Sequence, residues 1–189
     1  MTEPLDHGPS EAIEAIGAVE AVEAIGPSEA VGAIDAVGPI DAVDAVGRLY
    51  ALTAGIPGAR VVETVLPTPF AAVWAVMGDL EAGFGRFQPD MRHVRVTRRD
   101  GDRIEAYARS RYGMRARFDG ILRPGWCWLQ SRFVIIGMAA TPVGESGTRV
   151  ALTGGVRVPG RAAIVPVGAR RELRRSLVRL HEAVDLHSG

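Results

Sequence analysis

The 189-residue sequence predicts an α+β domain: one strand, then about six further strands that alternate between turns, and one long C-terminal helix. Two short helices are expected after the first strand. Three observations predict this. Ala169, Leu173, Leu177, Leu180 and Val184 recur at steps of 3 or 4 near the C-terminus, the stripe of an amphipathic helix. Before them, several short runs alternate apolar and polar residues between turn signals. Ahead of those runs, one strand-like segment is followed by an apolar helical spacing behind two prolines.

Taken in order, residues 60–66 (RVVETVL) read as a strand ended by Pro67 and Pro69. In 70–77 (FAAVWAVM), apolar positions 70, 73, 74 and 77 give a helix, with Thr68 at the N-cap position and Pro69 at its first turn. Residues 79–88, which carry Phe84 and Phe87 among glycines, form a second short helical piece. Residues 93–98 alternate, and Arg99-Asp100-Gly101-Asp102 is a hairpin turn. Residues 103–112 place Ile104, Ala106, Ala108, Ser110 and Tyr112 on one face. In 114–122, Met114, Ala116, Phe118 and Leu122 share a face. Pro124-Gly125 turns the chain into 126–134, followed by strands at 137–143 and 148–158. Gly154-Gly155 in the last of these suggests a bulge or a close backbone approach. The terminal helix follows Pro166, with Arg170, Arg171, Arg174, Arg175 and Arg179 opposite its apolar stripe.

The zero net charge conceals two halves. Residues 1–47 hold ten acids and no base; the remainder holds all 22 arginines, 12 acids and every aromatic residue. The first part is an acid–Ala–Ile/Val triplet repeat interrupted by Gly and Pro. Its period of three drifts against the helical period of about 3.6, and it has no aromatic side chain to bury. Residues 1–47 are therefore expected to be a disordered acidic tail, 48–59 a linker and 60–186 the folded domain. Deleting 1–47 should then change stability by no more than about 1 kcal/mol.

Composition also excludes chemistry. Without lysine there is no Schiff base and no Walker A loop. The single cysteine, Cys127, excludes a disulfide framework and a cysteine-rich zinc site, and between two tryptophans it reads as a buried small apolar residue. No apolar run reaches the ~18 residues of a membrane span, and the first 47 residues lack the basic start of a signal peptide. A cytoplasmic protein is expected, and the all-arginine usage matches a GC-rich bacterial coding bias. His181 and Asp185 form an i,i+4 pair, read as a surface pair near a helix end. Neither metal nor cofactor is expected. Nor is nucleic acid, since the arginines lack aromatic interleaving.

The stretches VVETVLPTPFAAVWAVMGDLEAGFGRF, RIEAYARSRYGMRARFDGILRPGWCW and GTRVALTGGVRV, with the Arg-rich terminal helix, resemble the SRPBCC superfamily, also called START-like or helix-grip. The resemblance covers about residues 60–186. It implies the helix-grip fold, a curved antiparallel sheet of about six to seven strands wrapped around the long C-terminal helix, with an apolar cavity between them and a role in binding a small hydrophobic or aromatic ligand. A polyketide cyclase or dehydratase is the alternative, and a chaperone-activator type of interaction module is a third; a homodimer or another protein partner stays open. Candidate wall residues are Trp74, Phe84, Phe87, Tyr112, Met114 and Phe118, with Gln130 and Arg132 added if the Trp126–Trp128 face of 126–134 points inward. The opposite face, with Cys127 and Leu129, is the better candidate for the inside, because burying an unpaired Arg is costly. Cyclases of this superfamily use Arg and Tyr in the cavity, so the resemblance makes Tyr112 and Arg132 the catalytic candidates.

Overall fold

The computed structural model describes residues 44–88, 90–156 and 169–188. The acidic repeat up to residue 43, the strand continuation at 157–158 and Pro166 lie outside these residues. Four helices and seven strands follow one another among them: α1 (Ala45–Ala54), β1 (Val61–Leu66), α2 (Phe70–Met77), α3 (Phe84–Phe87), β2 (Met91–Asp100), β3 (Arg103–Ser110), β4 (Arg115–Arg123), β5 (Trp126–Gln130), β6 (Val134–Val143), β7 (Gly147–Val156) and α4 (Ala169–Ser188). The strands form one sheet in the order β1-β7-β6-β5-β4-β3-β2, antiparallel throughout. Consecutive strands pair through tight turns, and β7 returns to β1. The chain between β1 and β2, carrying α2 and α3, therefore links the two edges of the sheet.

One face of the sheet is the inner face. Val62, Leu66, Val94, Ile104, Ala106, Phe118, Leu129, Met138, Val150 and Leu152 are buried there in one core with α2, α3 and Leu173, Leu177, Leu180 and Val184 of α4. The predicted stripe of α4 is thus its packed face. α4 lies chiefly against α2, α3, β1 and β7. At Gly154 the Leu173 side chain comes within 3.9 Å of where a Cβ would stand, so the helix approaches the backbone there. β6 and β7 pair without a register shift, so of the two readings for Gly154-Gly155 the close approach holds and the bulge does not.

The outer face has a cover that the sequence reading did not foresee. Asp44, N-cap of α1, accepts a hydrogen bond from the Gly47 amide at 2.6 Å and pairs with Arg149 of β7 at 2.5 Å. Val46, Leu49 and Thr53, on one side of the helix, are buried. They lie over β6 and β7, where Ile135, Ala139, Ala151 and Thr153 are also buried, as are Trp126 and Trp128 on the same face of neighbouring β5. A Cβ on Gly137 would stand 2.6 Å from the Thr153 methyl and 2.9 Å from Leu49 and Trp128, so a side chain there would force these neighbours to shift. The proposed boundary at Gly47 and the linker at 48–59 are corrected accordingly: the linker contains most of a packed helix. A glycine in a helix's first turn, below a capping carboxylate, does not end it. Removing residues 1–47 therefore strips a cap worth about 1 kcal/mol and a buried valine worth about 2 kcal/mol, more than the tail reading allowed.

At the far edge, β2 carries irregularities between Met91 and His93 and between Val96 and Arg98. Its Val96 amide donates to a Glu81 carboxylate oxygen at 3.0 Å, outside the sheet ladder.

Candidate functional site

Along β3 and β4 the inner face loses its cover in one direction. Ala106 is 0 % exposed and Ala108 3 %, while Ser110 is half-buried; Phe118 is 1 % exposed, Ala116 half-buried and Met114 40 %. Burial falls toward the β3–β4 turn, residues 111–114. Because the strands alternate, the β5–β6 turn (131–133) and the start of β2 lie at the same end of the sheet.

The inner face behind this end is apolar. Val94, Ile104, Ala106, Ala108, Phe118, Leu122 and Leu129 line it, with Cys127 as its titratable member. Burial pushes the Cys127 thiol up to about 12, so at neutral pH it is a protonated, inert side chain. The stability it contributes is complete below the ordinary thiol pKa and is lost as pH rises from there toward 12. We expect iodoacetamide to leave the native protein unmodified at pH 8 and to label it fully in denaturant. Labelling of the native state at the denatured rate would show Cys127 to be accessible.

The sequence candidates separate into two sets. Phe84 and Phe87 are fully buried and meet edge to face at 5.3 Å; with Phe118 they belong to the inner core. Trp74 is half-buried against that core, stacked on Phe70 at 6.4 Å. The others are at or outside the rim. Tyr112 is 61 % exposed in the β3–β4 turn, its hydroxyl bonded to Arg111. Met114 stands at the mouth. Gln130, half-buried, ends β5 in alternation with Trp126 and Trp128, hence on the outer face. Arg132 is exposed in the β5–β6 turn, its guanidinium 5.0 Å from the Phe133 ring centre. The inward face of β5 is the Cys127–Leu129 face. Tyr112 and Arg132 sit on different turns and do not form a pair within a cavity.

Electrostatics gather at the rim. Asp90 pairs with Arg111 at 3.1 Å. On α4, Glu172 binds Arg175 at 3.3 Å and Arg179 at 3.1 Å. Partial burial alone would raise the Glu172 carboxyl, but bonds from Arg179 and Arg175 outweigh it and hold it below its ordinary range. His181 and Asp185 form an exposed pair at 3.2 Å, as read from their spacing. Two surface concavities lie away from the inner wall. One, of about 30 Å³, is bounded by Ala75, Val76, Asp79, Gly83, Arg86 and His187; the other, of about 120 Å³, by Arg92, His93, Arg109, Ser110, Arg111 and Gly113. The second group went unnoticed in the sequence, where arginines are too frequent for any cluster to stand out. Among the described residues, no three His, Cys, Asp or Glu side chains are placed to share a metal ion, and no helix is long and apolar enough to cross a membrane.

No protein-family model and no curated protein matches the chain. Solved structures do. A START superfamily protein from Mycobacterium smegmatis superposes with a TM-score of 0.52 at 16 % identity, covering 68 % of this chain and 97 % of that one. The di-domain ARO/CYC StfQ from the steffimycin biosynthetic pathway gives 0.54 at 13 % identity, covering 68 % of this chain and 46 % of the other. The di-domain ARO/CYC BexL from the BE-7585A biosynthetic pathway gives 0.53 at 17 %, covering 69 % and 47 %. The chain thus corresponds to about half of each di-domain protein. With its seven-stranded antiparallel sheet closed by a C-terminal helix, this chain has the helix-grip fold of the START-like, SRPBCC type.

Proposed function

We propose that the chain binds a small hydrophobic or aromatic ligand between the inner face of the sheet and α4, admitted past the β3–β4 turn. The observation that carries this reading is the character of the inward wall: Ala106 and Ala108 in its middle, Phe118, Leu122 and Leu129 beside them, and a neutral thiol as its titratable group. Such a wall offers contact area and no acid–base group. Met91, Met114 and Ala116, half-buried or exposed at the mouth, are the residues that part for the ligand; unbranched methionines re-pack at little cost. Cyclisation, the competing reading, needs a group to polarise a carbonyl or move a proton inside the cavity. Tyr112 and Arg132 lie on the rim, which favours binding over catalysis.

Native mass spectrometry of the purified protein, repeated under denaturing conditions, tests this together with titration of a fluorescent hydrophobic probe. The expected result is a released apolar molecule, or saturable probe binding that Ala116→Phe weakens at least about tenfold while the circular dichroism of the fold is retained. An empty protein with no saturable probe site would overturn the reading in favour of a protein-interaction role. Unchanged probe binding in a folded A116F variant would place the ligand elsewhere.

A further inference from the structure

We infer that the concavity at the junction of β2 with the β3–β4 turn is an oxyanion site, built for a phosphate group carrying two negative charges. It is distinct from the apolar interior and does not depend on the ligand reading. Four features converge on it. First, Met91 opposes Ser110 and His93 opposes Arg109, so Arg92 is the extra residue of a bulge and is turned out of the regular alternation. Arg92 and Arg109 thereby border the same hollow, which Arg111 and His93 complete.

Second, the charge is unbalanced. Asp90 partners Arg111, whereas Arg92 and Arg109 pair with no carboxylate among the described residues. Arg111 is thus balanced by Asp90, with Glu172 of α4 also acting on it, and the two guanidiniums left to an oxyanion are those of Arg92 and Arg109, a complement for a phosphate monoester dianion rather than for a single carboxylate. Third, Arg109 of β3 stands directly opposite Arg115 of β4, a like-charge pair that weakens a sheet unless an anion offsets it. Fourth, the Ser110 hydroxyl oxygen accepts from the amides of Tyr112 at 3.2 Å and Met114 at 3.1 Å. This fixes the turn that carries Arg111. Gly113, with φ of 84°, takes the left-handed position that lets the turn close. Planar guanidinium forks bordering one hollow are the donors that a phosphate accepts from.

The test is titration with inorganic phosphate and with phenyl phosphate at constant ionic strength, with chloride as the control, read by backbone amide NMR shifts. Saturable shifts at residues 92, 93 and 109–113, with affinity at least about tenfold weaker in the double variant Arg92→Gln/Arg109→Gln, are expected. These two side chains are exposed, so the variant keeps its fold; its spectrum elsewhere verifies this. Phosphate shifts no larger than those of chloride, or equal affinity in the double variant, would overturn the assignment. A parallel arm uses phosphatidylcholine vesicles with and without phosphatidic acid. Binding to both phenyl phosphate and the acidic vesicles identifies the phosphate as a lipid headgroup; binding to phenyl phosphate alone identifies a soluble phosphate ester.

Discussion

Leu180→Asp should abolish cooperative folding. Leu180 is fully buried at the centre of the α4 stripe, between Leu177 and Val184, in the core shared with α2 and α3. A carboxylate there has no described cation within the core to pair with, so it is either charged in an apolar interior or protonated at a cost. Either way the loss is about 4 kcal/mol or more, against a total stability of about 5–15 kcal/mol for a domain of ordinary size. Thermal unfolding followed by circular dichroism measures it. Leu186→Asp, on the same helix but 83 % exposed, is the control and should leave the melting temperature within a few degrees. A cooperatively folded L180D protein with near-normal stability would mean that α4 does not close the core.

The second large effect lies on the other side of the sheet. Leu49→Asp should detach α1 and lower stability by about 3–5 kcal/mol, while the inner core persists. Leu49 is fully buried against the Gly137 backbone and the Trp128 ring. Without α1, the Trp126 and Trp128 indoles meet water, and tryptophan emission should move to longer wavelength before the main unfolding transition. Arg48, whose guanidinium lies 5.9 Å from the Trp126 ring centre, would leave with the helix. An unchanged emission spectrum together with an unchanged melting temperature would show that the outer tryptophans do not depend on this helix.

How far the sequence exposed this structure depended on which residues made the turns. The α4 stripe, the Phe70–Met77 helix and the alternation along β3 and β4 were legible because each buries one face and leaves the other wet. Turns made by glycine were legible too: Gly101, Gly125 and Gly144 have φ of 57°, 76° and 61° at the expected hairpins. Turns held by a serine hydroxyl were legible only in part: Gly113, with φ of 84°, marks one of them, but not how far it reaches back into the strand. Ser131 accepts from the amides of Phe133 and Val134, and Ser110 from those of Tyr112 and Met114. Each hydroxyl satisfies backbone donors that a strand would have paired with its neighbour. Reading both segments as continuous strand carried Tyr112 onto a cavity wall, and Arg132 too on the less favoured choice of face, although the chain had already left the sheet. The same two turns account for most of the difference between the expected site and the observed one. For α1, burial at 46, 49 and 53 has ordinary helical spacing, hidden by the triplet repeat that runs into it.

The free edge at β2 has a consequence for association between copies. An edge strand presents backbone donors and acceptors that another strand could extend, and seven strands in an open sheet leave two such edges. On β2 the opportunity is removed three times over. Two bulges break the straight run of the strand, the Val96 amide is already occupied by Glu81, and Arg92, Arg95, Arg98 and Arg99 all project into solvent. A second molecule aligned along this edge would bring guanidinium against guanidinium with no continuous ladder to offset the repulsion. The irregularity that shapes a hollow for an anion therefore also guards the sheet against growing, strand by strand, into an aggregate.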